Sequence, residues 1–113
     1  MSDRLGRDQS AATRRNPRYL EDVELPAAVL VSADAAAVLQ GADAVLVAVP
    51  TQHIRGVVTS LRGLLGTTMP LVSLAKGLEQ ASGLRPSEVI AAVAGNGARV
   101  LVLSGPSHAE EIA

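Results

Sequence analysis

From Ala28 onward, short apolar runs alternate with stretches whose apolar residues recur at helical spacing. Ala28–Val31 reads as a first short strand, with Ser32 placed to cap a helix over Ala33–Gln40 and Gly41 to end it. Ala44–Val49 is a continuous apolar run, the pattern of a parallel strand covered on both faces, and Pro50 stops it. Thr51 is placed to cap the next helix. Its apolar face is Ile54, Val57, Val58, Leu61, Leu64 and Leu65, and Gly66 closes it. Leu71–Leu74 predicts another strand. Pro86 suits the first turn of a helix that buries Val89, Ile90 and Val93. Gly95-Asn96-Gly97 predicts a turn, Val100–Leu103 a last strand, and Ser107 with Glu110 has capping-box spacing for a final helix.

Strands alternating with helices at this spacing predict βαβ crossovers and a mainly parallel sheet, an α/β fold. Ligands of such sheets sit beyond the carboxyl ends of the strands. Three polar loops follow strands: Pro50–His53, Ala75–Glu79 and Ser104–His108. They are expected to line one rim. No G-x-G-x-x-G occurs in the sequence, so the chain reads as a Rossmann-type domain entered partway through, lacking its first strand and glycine-rich loop. Residues 1–27 show no clear periodicity and are broken by Pro17 and Pro26. They are expected to be an irregular basic segment, leaving 28–113 as a partial dinucleotide-binding domain.

Composition narrows the reading. The chain has 113 residues, 48% of them hydrophobic, with Tyr19 its one aromatic residue. Any core is therefore built from small aliphatic side chains. No apolar run approaches the length of a membrane span. Without cysteine there are no disulfides and no thiolate-ligated zinc, and no metal site is expected. The polar start lacks the apolar stretch of a signal peptide, so a cytoplasmic location is expected. The net charge of −1 gives no reason to expect nucleic acid. Five arginines against two aspartates make the first 18 residues basic. A solvated arm explains that better than a phosphate-binding one.

Lys76 is the single lysine. It directly follows a strand and precedes Gly77, where an ammonium would meet an anionic or carbonyl oxygen at the rim. The alternative is an ordinary surface lysine. Ser104-Gly105-Pro106-Ser107 offers hydroxyls, a glycine that admits close approach, and a helix start that attracts anions. A simple capped turn is the alternative, favoured by spacing alone. His53 and His108 have no acidic partner at triad or metal-ligand spacing and read as surface histidines. Glu110 and Glu111 suit a helix start, while Asp34 and Asp43 read as capping or strand-entry residues.

Four segments together carry more than any one. Asn16-Pro17-Arg18-Tyr19-Leu20 with Val23-Glu24-Leu25-Pro26 comes first. Ala48–Gln52, Ala75–Glu79 and Leu103–Ala113 follow in order. With this spacing the chain resembles the bacterial NAD(P)-dependent glycerol-3-phosphate dehydrogenases, from about Asn16 to its end. The resemblance implies a Rossmann-type cofactor domain followed by a helical substrate domain. It implies hydride transfer between NAD(P)H and dihydroxyacetone phosphate, giving sn-glycerol 3-phosphate for phospholipid synthesis, with NAD or NADP as cofactor and a homodimeric full-length enzyme. On the same resemblance, Lys76 contacts cofactor and substrate, Gly105 and Ser107 bind substrate, and Ala109 contacts cofactor. Tyr19 and His53 fall near the cofactor, and Arg7 matches a basic residue on its adenosine side.

The helical substrate domain, and with it the family's general-acid lysine, is not found in this sequence, so no catalytic residue is assigned. The chain is expected to be a partial enzyme, inactive alone. A non-enzymatic remnant, an interaction module that pairs with a complementary piece, and a related dehydrogenase acting on a hydroxy acid are the alternatives.

Overall fold

The computed structural model describes residues 15–16, 20–66, 68–95 and 97–105. The described residues up to Gln40 make one compact unit and Gly41–Gly105 another. In the first, strands β1 (Arg15–Asn16) and β2 (Leu20–Glu24) pair antiparallel, with Arg15 opposite Glu24 and Asn16 opposite Leu20. Strand pairing thus reaches into the segment expected to be irregular.

The strand predicted at Ala28–Val31 does not form. Pro26 starts a turn instead, closed by the Val29 N–H donating to the Pro26 carbonyl at 3.0 Å. Leu30 is left 68% exposed, so the apolar run lacks the burial that would hold it extended. Helix α1 is shorter than predicted, Ala35–Leu39, and Asp34 rather than Ser32 caps it. The Asp34 carboxylate accepts from the N–H groups of Ala36 and Ala37, while the Ser32 hydroxyl accepts from the Asp34 N–H.

The second unit carries strands β3 (Val45–Val47), β4 (Pro70–Ser73) and β5 (Arg99–Val102) in a parallel sheet of order β3-β4-β5. Helix α2 (Thr51–Leu61) connects β3 to β4, and α3 (Pro86–Ala94) connects β4 to β5. The predicted α/β alternation is therefore present across 45–102. Helix α2 ends four residues before Leu65, in a tighter turn over Arg62–Leu64 that leaves Leu64 half exposed. Helix α3 begins with Pro86 at its first turn, where the missing N–H costs nothing.

The two helices pack against each other, and Val47, Ile54, Val58, Leu71, Val89 and Ile90 form the core between them and the sheet. Ile54 and Val58 stand one turn apart on α2, and Val89 and Ile90 share the inward side of α3; all four are essentially inaccessible. The register aligns Val45, Leu71 and Val100 in one row, with Leu46, Val72 and Leu101 in the next. Alternation along a strand puts the second row on the opposite face. There Leu46 is 61% and Leu101 52% exposed. Among the described residues of this unit, the helices cover only one of the two faces that the continuous apolar runs led us to expect covered.

Candidate functional site

The carboxyl ends of the three strands are brought level by bonds that continue the ladder past the strands themselves. The Leu74 N–H donates to the Val47 carbonyl and the Leu103 N–H to the Ser73 carbonyl, each at 3.0 Å. The three polar segments after the strands therefore meet at one rim, as far as they are described.

Lys76 is exposed there, and its Nζ donates to the Gly105 carbonyl oxygen at 2.9 Å. That single contact joins the loop after β4 to the loop after β5. Beside it lies an open cleft of about 330 Å³, bordered by Ser73, Lys76, Gly77, Arg85, Ser87 and Ser104. Its volume falls at the small end of ligand sites. Two cationic side chains and several hydroxyls suit an anionic or carbonyl oxygen. Arg85 is also engaged by Glu88, its Nε donating to Oε1 at 2.6 Å.

The loop that presents Lys76 is anchored by the start of α2. Thr51 is the first helical residue rather than the cap, a position that Pro50 occupies. The Thr51 hydroxyl is thereby free to donate to the Lys76 carbonyl. Gln52 Nε2 donates to the Leu78 carbonyl at 3.0 Å, and the Gln80 N–H donates to Gln52 Oε1 at 2.9 Å. Between Leu78 and Gln80, the Glu79 carboxylate is buried and meets Arg55 and the Ser82 hydroxyl. The hydrogen bond from Arg55, then that from Ser82, holds the Glu79 carboxyl below its ordinary pKa, and the bond to Glu79 raises that of Arg55. Every buried side-chain nitrogen and oxygen among the described residues has a partner.

Of the residues singled out from sequence, Lys76 and Gly105 are brought into contact, and Ser104 borders the same cleft. His53 is exposed on α2 and is not among the residues that border the cleft. Tyr19, Arg7, Ser107 and Ala109, together with His108, Glu110 and Glu111, lie outside the described residues. Arg85, Ser87, the bonds from Gln52 to the loop after β4 and the Arg55–Glu79 pair were not anticipated. Pro86 did mark a helix start, and the two residues flanking it border the cleft, so that signal was available for Arg85 and Ser87. Among the described residues, no group of His, Asp and Glu is clustered to hold a metal ion, and no helix is long and apolar enough to cross a membrane.

A family model described as the N-terminus of NAD-dependent glycerol-3-phosphate dehydrogenase matches residues 6–113. Among curated proteins, the glycerol-3-phosphate dehydrogenase (NAD(P)+) of Syntrophomonas wolfei is 44% identical over 110 residues, covering 96% of this chain and 32% of the relative. That of Brucella canis is 46% identical over 100 residues, covering 88% of this chain and 30% of the relative. Of solved structures, the glycerol-3-phosphate dehydrogenase of Coxiella burnetii superposes with a TM-score of 0.86 at 29% identity, over 97% of this chain and 33% of that one. The chain thus spans about a third of the length of the curated relatives it matches.

Proposed function

The chain belongs to the family of NAD-dependent glycerol-3-phosphate dehydrogenase N-termini, and from that membership we propose that it forms part of the cofactor domain of an oxidoreductase. The reaction is reduction of dihydroxyacetone phosphate by NAD(P)H and a proton to sn-glycerol 3-phosphate, supplying phospholipid synthesis in the cytoplasm. The family's name and that of the curated relatives support the reaction class. The joining of Lys76 to Gly105 at the strand ends is the observation that carries the site assignment.

The residues present fit only part of the cofactor. The cleft of about 330 Å³ is the size of a small-ligand site, whereas no G-x-G-x-x-G is present to receive the pyrophosphate. When bound, the nicotinamide ring supplies the hydride. In this reading Lys76 offers an ammonium donor to the substrate oxygen on which charge develops and also touches the cofactor. Gly105 lets substrate approach the backbone, and Ser107 holds it by hydroxyl and helix start. Ala109, Tyr19, His53 and Arg7 are assigned to the cofactor side on the family resemblance. NAD and NADP both remain candidate cofactors, the full-length protein is a homodimer, and residues 28–113 belong to the dinucleotide-binding domain.

The test is a chimera in which residues 16–113 replace the matching segment of the Brucella canis relative, assayed by NADH oxidation dependent on dihydroxyacetone phosphate. Lys76→Ala in that chimera is expected to lower kcat/KM by roughly 2–4 kcal/mol of transition-state stabilisation. A value within about threefold of the unmutated chimera overturns the Lys76 assignment, since a lost charged contact costs far more.

A further inference from the structure

We propose that Thr51 and Gln52, in the first turn of α2, are positioning residues for Lys76, which they serve by holding the backbone of its loop in place. The inference rests on the reading of Lys76 given above and gives Thr51 and Gln52, which lie in a loop the sequence already placed at the rim, a role that their position alone does not assign.

Three bonds carry it. The Thr51 hydroxyl donates to the carbonyl of Lys76 itself. The Gln52 amide then takes the backbone two and four residues further on, donating to the Leu78 carbonyl and accepting from the Gln80 N–H. Those two contacts bracket Glu79 from both sides, as a neighbouring strand would. Glu79 is the third anchor, tied to Arg55 one turn along the same helix. The loop after β4 is therefore laid along α2 from Lys76 to Gln80, and the Lys76 side chain reaches the Gly105 carbonyl at 2.9 Å from that fixed backbone.

Lysine ends in a point charge on a flexible four-carbon stem, so its own torsions do not hold the ammonium in place. What holds it is the position of its Cα and the acceptor it finds. Gln52 is exposed and contributes nothing to the core, so its amide is spent on the loop backbone rather than on packing. Thr51 is 8% exposed, and at its helical position the hydroxyl is not used as a cap. Both residues thus serve the loop that presents Lys76, with its single ammonium at the rim.

Lys76 is the only lysine of the chain, so an amine-acylating reagent, with peptide mapping to set the N-terminal amine aside, reads its surroundings alone. In the full 113-residue chain, acetylation of Lys76 by an N-hydroxysuccinimide ester is expected to accelerate about fivefold in Thr51→Val and in Gln52→Ala, the equivalent of about one net hydrogen bond. Thr51→Ser keeps the hydroxyl and is expected to restore the slow rate. Amide exchange at Ile54, Val58 and Ile90 is expected to stay unchanged, which separates positioning from a loss of fold. Gln52→Ala alters an exposed side chain and carries the test if Thr51→Val does not fold. A Lys76 rate within about twofold of wild type in Gln52→Ala, too little for a lost hydrogen bond, overturns the proposal. So does core exchange accelerating by the same factor, or Thr51→Ser behaving like Thr51→Val. Failure of the Lys76 reading itself is seen separately, as an unchanged kcat/KM for Lys76→Ala in the chimera.

Discussion

Arg55 on α2 and Glu79 in the loop after β4 form a two-pronged ion pair across 24 residues of sequence, Nη2 to Oε1 at 2.8 Å and Nε to Oε2 at 3.1 Å. The fork of the guanidinium matches the two carboxylate oxygens, which makes the pair directional as well as attractive. Ser82 adds a third hydrogen bond to the carboxylate, and the 79–84 segment closes on itself through the Glu79 N–H to Leu84 carbonyl and the Gly83 N–H to Glu79 carbonyl bonds. The carboxyl that organises this loop is thus one whose ionisation its neighbours favour.

Acid stability follows from that. The folded chain holds the Glu79 carboxyl below its ordinary pKa, chiefly through Arg55. A depressed folded value means the stabilisation is complete above the unfolded carboxylate value of about 4.3 and is lost as pH falls through the lower folded value. Glu79→Gln is expected to be less stable than wild type at neutral pH, with the difference shrinking below that carboxylate value. Urea midpoints compared at neutral pH and at about pH 3 check this, and parallel curves would show that Glu79 is not linked to folding.

Ile90 is fully buried between α3, α2 and the sheet. Ile90→Ala removes most of that side chain from a core of small aliphatic residues and is expected to cost about 2–5 kcal/mol. A urea unfolding curve reads the loss as a lower midpoint with an unchanged slope. A cost well under that range would mean that the helices collapse onto the space left behind.

Gly77, directly after Lys76, has φ +83°, and a Cβ built there meets nothing within 4 Å. The penalty for a side chain is therefore torsional and not steric. Gly77→Ala is expected to cost about 1–2 kcal/mol, and Gly77→Asn less, because Asn tolerates this conformation better. Unfolding free energies of the two variants check the order; equal costs would point to a displaced loop instead.

Ser107, assigned to substrate through the family resemblance, carries a kinetic prediction of its own. In the chimera, Ser107→Ala is expected to raise KM for dihydroxyacetone phosphate more than it lowers kcat, because the hydroxyl is assigned to binding. Ser107→Thr keeps the hydroxyl and is expected to retain the original KM. Steady-state kinetics of the two variants decide it; an unchanged KM in the alanine variant leaves Ser107 with a capping role only.

The sequence by itself determined the βαβ order, the placing of α2 and α3, and the runs that become β3, β4 and β5. Each of these rests on periodicity within a few residues: Ile54 and Val58 one turn apart, Val89 beside Ile90, Pro86 at a helix start. The placing of Lys76 and Gly105 beyond the carboxyl ends of their strands was also legible, because a loop that follows a parallel strand goes to a known end of the sheet. The family resemblance lay in segments whose order is itself a property of the sequence. Tertiary structure decided the rest. Local apolar content suggested a strand at Ala28–Val31, where burial did not follow. Thr51 looked like a helix cap until a carbonyl 25 residues away took its hydroxyl. Gln52, Arg55 and Glu79 have no spacing that links them, since their partners meet only after the chain has crossed from β3 through α2 to β4. A residue's neighbours in sequence report its own element, whereas contacts across that crossover depend on how the whole unit closes.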